Sequence, residues 1–118
     1  MPIQWIEYKG KKILHVNYTG LSEEMMMQDL GKLEELLRSS RGGVLMICDY
    51  TNAPVTEALT NRIKQGGLEF KDKLQKTAAL GITGIKSVLF RSYLVFTNEK
   101  VSKVISTMEE AKEWLVKE

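Results

Sequence analysis

The chain has 118 residues, of which 43% are hydrophobic and 27% are charged, with a net charge of +2 and one cysteine. A chain of this length builds one core, so we expect a single domain over residues 1–118. One cysteine excludes an intramolecular disulfide. No apolar run approaches the roughly 20 residues of a membrane span, and there is no signal-peptide core, so we expect a cytoplasmic protein that is not an integral membrane protein.

The first elements predicted along the chain are a hairpin and a helix. Residues Ile3–Tyr8 and Ile13–Tyr18 alternate between apolar and polar side chains, which predicts two antiparallel strands. The single histidine, His15, lies on the strand face opposite Leu14, and we expect a surface or half-buried residue rather than a catalyst. Ser22 then suits the N-cap of a helix that ends before Gly42-Gly43.

A buried strand and a second helix follow. The apolar run Val44–Cys48 predicts a strand, and Cys48 inside it is expected to be a packed, inert thiol. A helical stripe comes next, and Gly66-Gly67 interrupts it. Either the helix breaks there, or a neighbouring backbone packs too close for any side chain. The apolar residues of this stripe are Val55, Leu59, Ile63, Phe70 and Leu74.

The stretch Thr77–Phe96 reads as a strand, a glycine turn and a helix. Ala78–Leu80 suits a strand buried on both faces, and Gly81 and Gly84 break it from the helix. The spacing of five later residues predicts the apolar face of that helix. They are Ile85, Val88, Leu89, Tyr93 and Phe96.

The last elements complete an alternating pattern. Val101–Ile105 is a candidate short strand, and Thr107 with Glu110 forms a capping box before a final amphipathic helix. The predicted order is β-β-α-β-α-β-α-β-α. Such alternation predicts an α/β fold with a mixed, mostly parallel sheet of four to five strands, about four flanking helices and an antiparallel hairpin strand at one edge.

The charge is uneven along the chain, because residues 60–103 hold nine basic and three acidic residues. This segment either faces an anionic partner, such as a phosphate, a lipid head group or an acidic protein, or forms a solvated helix face. Its basic residues do not alternate with aromatic ones as in single-strand binders, so we expect no nucleic-acid partner.

No pattern in the chain predicts catalysis. Zinc, nucleophile-elbow, phosphate-loop and dinucleotide signatures are absent, and we expect no enzyme activity, no metal and no cofactor. A geometric site remains, because ligands of open α/β sheets bind beyond the carboxyl ends of parallel strands, at a topological switch point. The two loops expected there offer a carboxylate, hydroxyls, an amide, an amine and unpaired backbone N–H groups that suit an anion. The alternative is ordinary turn and cap chemistry. The candidate residues are Asp49, Thr51, Asn52, Thr83, Gly84 and Lys86.

Three segments, Gly43–Asp49, Leu80–Phe96 and Thr107–Leu115, together with the order of elements resemble the bacterial STAS-like proteins. These are small domains akin to the anti-sigma-factor antagonists, often grouped with CRAL-TRIO lipid-transfer domains. The resemblance implies a regulatory role through protein or small-ligand binding. Antagonists carry a phosphorylatable serine in an Asp-Ser-Ser-Gly loop. Here that loop is Asp49–Pro54, which lacks the Ser-Gly pair and leaves Thr51 or Thr56 as candidate phosphoacceptors.

Two functions are therefore predicted ahead of a third, an enzyme, and we also expect self-association. The first is a regulatory protein-interaction module that uses the helix after Asp49–Pro54. The alternative is a carrier of a small anionic or lipidic ligand, held between the two loops and the apolar face of Ile85–Phe96. A large closed apolar cavity would favour the carrier, and a flat exposed apolar patch would favour the interaction module. The hairpin edge and the final helix with Trp114 offer surface for a homodimer.

Overall fold

A computed structural model describes residues 2–117, so Met1 and Glu118, the two ends of the predicted domain, lie outside the described range. Within that range the order of elements agrees with the prediction, and a 3-10 turn at Lys71–Lys73 precedes the fourth strand. The elements are β1 (Ile3–Tyr8), β2 (Lys11–Asn17), α1 (Glu23–Ser39), β3 (Val44–Asp49), α2 (Glu57–Phe70), β4 (Leu74–Leu80), α3 (Ile85–Thr97), β5 (Ser102–Val104) and α4 (Met108–Val116).

The strands form one mixed sheet in the order β1-β2-β3-β4-β5. β1 is antiparallel to β2, and every other neighbouring pair is parallel. The antiparallel pair closes through Lys9-Gly10, whose φ angles of 49° and 81° match the two-residue turn that hairpin twist favours. The predicted α/β class and edge hairpin are confirmed.

The helices divide unequally between the two faces of the sheet. Each step from β2 to β5 moves to the next strand in the same direction, so right-handed crossovers place α1, α2 and α3 together on one face. On the opposite face, Ala111 and Leu115 of α4 pack in a second core with Ile13 and Ile47. Because the strand order never reverses, the predicted topological switch point is wrong for this sheet.

The central strands are buried as predicted, and the errors lie at element boundaries. Val44–Cys48 is buried throughout, and β3 pairs with β4 in parallel from Met46↔Thr77 to Asp49↔Leu80. The predicted helical stripe is too long at both ends, since α2 begins at Glu57, after Val55, and ends at Phe70, while Leu74 begins β4. A 3-10 turn keeps an approximately helical spacing across Lys71–Lys73, and no proline or glycine marks the change.

Two buried carboxylates hold the loops around this sheet. The Tyr18 hydroxyl donates a 2.8 Å hydrogen bond to Asp29 Oδ2, which links the end of β2 to α1. Glu99 Oε1 accepts the backbone N–H groups of Val101 and Ser102, each at 2.8 Å, and so fixes the turn from α3 into β5. Sequence analysis missed Glu99, because an isolated acid after a helix looks like a surface residue.

No helix among residues 2–117 is long and apolar enough to cross a membrane. The same range contains no group of three or more His, Cys, Asp or Glu side chains that could hold a metal ion.

Candidate functional site

The two loops singled out by sequence meet at the carboxyl edge of the sheet. A Cβ atom added to Gly81 would lie 2.4 Å from the backbone nitrogen of Thr51, and Gly81 has a φ of +76°. The loop after β3 therefore rests directly on the loop after β4, at a position that needs glycine for both space and conformation. A third loop joins them, because the Gly20 N–H donates to the Thr51 carbonyl at 3.0 Å.

The polar groups of the first loop bond to one another. Asp49 Oδ1 accepts hydrogen bonds from the Thr51 N–H at 3.0 Å and from the Thr51 hydroxyl at 2.6 Å. Asn52 has a φ of 58°, a left-handed conformation that asparagine tolerates in turns. Thr56 is the N-cap of α2, and its side chain accepts from the Leu59 N–H. These contacts are turn and cap chemistry.

Two backbone N–H groups at the start of α3 also have hydrogen-bond partners within the chain. The Lys86 and Ser87 N–H groups donate to the carbonyls of Thr83 and Gly84. The Lys86 ammonium donates to the Tyr50 carbonyl at 3.0 Å, so this charge ties the two loops together. Gly84, at φ 60° and ψ −131°, provides no side-chain cap. The candidate site residues thus lie close together, and anion binding there stays a prediction.

The apolar face predicted for α3 is correct only in part, because Leu89 and Tyr93 are half-buried and face inward, whereas its other three residues are exposed. Ile85 is 70% exposed, Val88 55%, Val95 78% and Phe96 48%, and the one residue of α3 that is buried is Thr97. Helical spacing places these four apolar residues on a stripe roughly opposite Thr97. We call Ile85, Val88, Val95 and Phe96 the outer stripe of α3.

Basic side chains border the outer stripe. The Lys64 ammonium lies 5.4 Å from the centre of the Phe96 ring. Lys64 and Arg91 line a shallow surface groove together with Val88, Val95 and Phe96. No acidic residue occurs between Ile85 and Thr97. The outer surface of α3 is therefore both apolar and positively charged.

Most other lysines of the basic segment have partners inside the fold. Lys71 donates to the Thr97 carbonyl at the end of α3, and Lys73 donates to the Ser40 carbonyl after α1. Lys76 donates to two carbonyls at the end of α4, those of Trp114 and Lys117. Three of the nine basic residues of 60–103 thus bind carbonyls at the negative ends of three helices, which neither sequence alternative anticipated.

Beneath α2 and α3 lies an apolar cavity of about 120 Å³. Its walls come from three helices and from strands β3 and β4 of the sheet. The volume is smaller than the roughly 300–1,000 Å³ of ordinary ligand pockets, and it is close to the roughly 150 Å³ of an engineered cavity that takes up benzene. The side chains around it include Phe70, Ile63, Leu89, Phe90, Met46 and Ala79.

A few polar side chains also line this cavity. Thr77 is 7% exposed, and its hydroxyl has no hydrogen-bond partner among the described residues. Cys48 and Tyr50 also line the cavity. Burial raises the pKa of the Cys48 thiol to about 12, and it raises the pKa of the Tyr50 hydroxyl well above its ordinary value. Cys48 is buried as predicted, and the raised pKa keeps its thiol protonated.

Gly67 explains how α2 and α3 come together over the cavity. A Cβ atom added there would lie 2.8 Å from Tyr93 Cε1 and 2.9 Å from Thr97 Cγ2. Since α2 runs unbroken through Gly66-Gly67, the helix does not break there. The close neighbour that requires glycine is a pair of side chains from α3, and not a backbone as the second alternative predicted.

Comparisons with known proteins give a fold. No protein-family model matches the chain, and no curated protein matches it. The chain is similar to the crystal structure of an uncharacterized protein from the DUF3478 family with a SpoIIAA-like fold, from Shewanella loihica PV-4. The TM-score is 0.72 and the identity is 19%, over 96% of this chain and 91% of that one. The chain therefore has a SpoIIAA-like, STAS-like fold, as the sequence resemblance predicted.

Proposed function

We propose that the chain is a non-enzymatic interaction module of the STAS-like type, and that a partner protein binds the outer stripe of α3. The exposed stripe is the observation that carries this proposal. Complete burial of a fully exposed valine, isoleucine or phenylalanine side chain is favourable by about 1.5–3 kcal/mol of free energy. Four such side chains are exposed on one side of a single helix, and a group of exposed apolar side chains in a soluble protein commonly marks an interaction site.

Charge indicates the chemistry of the partner. Arg91 forms no ion pair or hydrogen bond with any described residue, and Lys64 contacts the Phe96 ring rather than a carboxylate. A partner with an apolar ridge bordered by aspartate or glutamate would complement both the stripe and its basic border. This surface replaces the start of α2 as the preferred contact, because the polar groups of Asp49, Thr51 and Thr56 already bond locally.

Site-specific photo-crosslinking in the host cell tests this proposal. A photoreactive residue at Val95 should give a discrete crosslinked product, and the same residue at exposed Glu24 on α1 provides the matched control. Val88→Asp should abolish the Val95 product while the protein stays folded. The purified partner should then reproduce the crosslink at micromolar concentration. Equal products from both positions, or none from Val95, would contradict the proposal.

Regulation of this module would follow from the loop after β3. Thr51 is exposed and Thr56 caps α2, so a phosphate on either would add negative charge beside the start of a helix. We include phosphorylation of Thr51 or Thr56 and a cytoplasmic location in the proposal. Mass spectrometry of protein purified from its own host checks the modification. A chain that carries no phosphate under any growth condition would contradict phosphorylation of Thr51 or Thr56.

The cavity favours a second candidate function, a carrier of a small ligand. Its walls are apolar, and the unpartnered Thr77 hydroxyl offers one hydrogen bond, so a neutral ligand with a compact apolar body and one polar group would suit it. An anionic or longer lipidic ligand would need its head group outside, near Lys86, which also borders the cavity. The present volume admits a group about the size of benzene.

Small probes test the carrier function. Benzyl alcohol and benzene should each shift the Thr77 and Ala79 amides of the folded protein in a saturable way. Ala79→Leu should fill the cavity and remove both responses. Thr77→Val should weaken the binding of benzyl alcohol more than the binding of benzene, because the valine side chain cannot form a hydrogen bond with the alcohol. Equal binding of the probes to Ala79→Leu would place them elsewhere and contradict this candidate.

A further inference from the structure

We infer that the chain associates with a second copy of itself through the outer edge of β1. The hydrogen-bond pattern of the hairpin shows which backbone groups are available. The Asn17 N–H donates to the Pro2 carbonyl at 2.8 Å, and Ile3 lies opposite Val16 in the register. Because bonded pairs alternate in an antiparallel ladder, the backbone groups of Ile3, Trp5 and Glu7 face away from β2.

This edge has little of the usual protection against strand pairing. Ile3–Tyr8 contains no lysine and no proline, its one charged residue is Glu7, and its register with β2 has no bulge. Trp5, at its centre, is 47% exposed. The opposite edge of the sheet is different, since β5 has three residues and carries Lys103. An unguarded edge strand with an exposed aromatic is a template for another strand.

A two-fold axis at Trp5 satisfies every outward group of this strand. In that register Trp5 lies opposite the partner's Trp5, and Ile3 lies opposite the partner's Glu7. The three N–H and three C=O groups of each edge then face each other in bonded pairs. No two like charges meet, and the two indoles form a cross-strand aromatic pair. A second copy therefore pairs with every outward backbone group of the edge without opposing like charges.

The contact would be small. Two paired six-residue strands bury less surface than the roughly 1,200–2,000 Å² of a stable interface. We therefore expect a weak dimer with a Kd in the micromolar range, formed independently of the α3 surface. This assigns the predicted homodimer to the hairpin edge rather than to the helix that carries Trp114.

Sedimentation and NMR of the full chain test the inference. The weight-average mass should rise toward twice the monomer mass with concentration. At the same time the amides of Ile3, Trp5 and Glu7 should become protected from exchange, while those of Gln4, Ile6 and Tyr8 are protected already. Trp5→Lys should stay monomeric, because it places two ammonium groups on the axis. Mixing Trp5→Lys with Trp5→Glu chains should restore a one-to-one dimer.

Controls make each outcome decisive. Val95→Lys, on α3, should leave the dimer intact, and thermal unfolding should show that every variant is folded. A wild-type chain that stays monomeric up to about millimolar concentration would overturn the inference, as would a dimer that survives Trp5→Lys. Loss of the dimer in Val95→Lys would assign self-association to α3 and overturn it too.

Discussion

Gly67 shows how one missing side chain shapes the molecule. Alanine normally stabilises a helix interior relative to glycine by about 0.5–1 kcal/mol. At Gly67 the added Cβ would meet Tyr93 and Thr97 at under 3.0 Å, so we expect Gly67→Ala to lower the free energy of unfolding by about 1–3 kcal/mol.

Gly31 provides the matched control for this prediction. It lies in α1 with nothing within 4 Å of an added Cβ, so Gly31→Ala should raise the free energy of unfolding by about 0.5–1 kcal/mol. Chemical denaturation of both variants measures the difference. Stabilisation by both substitutions would mean that α2 and α3 do not pack through Gly67.

Cys48 should be inert to thiol reagents in the folded protein. Its thiol is fully buried, and its raised pKa keeps the reactive thiolate scarce. We expect labelling by a maleimide or a disulfide reagent to proceed no faster than unfolding. The time course with and without denaturant measures this, and rapid stoichiometric labelling of native protein would revive a redox or nucleophilic role.

His15 should make the stability depend on pH. Burial lowers its pKa below the ordinary 6.5, the Asp49 carboxylate opposes this shift, and Lys112 adds to it. The unfolded chain therefore takes up a proton before the folded chain does as the pH falls. The contribution of neutral His15 to the free energy of unfolding is complete above about pH 7.5. It declines as the pH falls through the pKa of the unfolded state toward the lower pKa of the folded state.

The control for this pH effect is His15→Gln, which cannot titrate in this range. We expect the difference in unfolding free energy between wild type and His15→Gln to change between about pH 7.5 and 5.5, with the wild type losing relative stability. Urea titrations at several pH values measure it. A constant difference, or relative gain by the wild type at lower pH, would contradict the buried neutral imidazole.

At the scale of elements, α3 differs from α1 because several of its apolar residues are exposed, whereas those of α1 are mostly buried in the core. Val95 is exposed on the outer stripe, so Val95→Ser should change the free energy of unfolding by no more than about 0.5 kcal/mol. Leu30 on α1 is only 5% exposed, so Leu30→Ala should lower the free energy of unfolding by about 2–5 kcal/mol. Thermal and urea unfolding check both. A large loss in Val95→Ser would mean that the outer stripe packs against the protein itself.

The same helix shows where sequence reasoning ends. Helical spacing correctly grouped Ile85, Val88 and Phe96, but it assigned the inward-facing Leu89 and Tyr93 to the same face, because spacing gives relative positions and not the direction of the core. Since α3 also carries Phe90 and Leu94, apolar residues surround much of the helix and the sequence does not define one inner face. Its inner face was settled by packing against Gly67, a contact between residues distant in sequence.

At the scale of the whole molecule, the fold was predictable and the site was predictable in part. Val44–Cys48 and Ala78–Leu80 have the composition of strands covered on both faces, and their burial follows directly. The order of strands in the sheet is set by crossovers and cannot be read from local pattern, which is why the switch point was wrong. The cavity and the outer stripe both depend on how α2 and α3 sit on that sheet.

Whole-molecule charge has a similar explanation. Counting residues 60–103 identified the excess of lysine and arginine, but the count does not reveal which carbonyls these side chains reach. Lys71, Lys73 and Lys76 cross to helix ends that are far away in sequence. Beside the outer stripe, the charge that remains for a partner is that of Lys64 and Arg91.

An NMR titration tests most directly whether a partner protein binds the outer stripe of α3. Isotope-labelled chain is titrated with the purified protein that crosslinks at Val95. We expect the largest amide shifts on Ile85–Thr97 and around Lys64, and we expect Val88→Asp to abolish them without unfolding the chain. Largest shifts at Asp49–Thr56, with α3 unchanged, would contradict it.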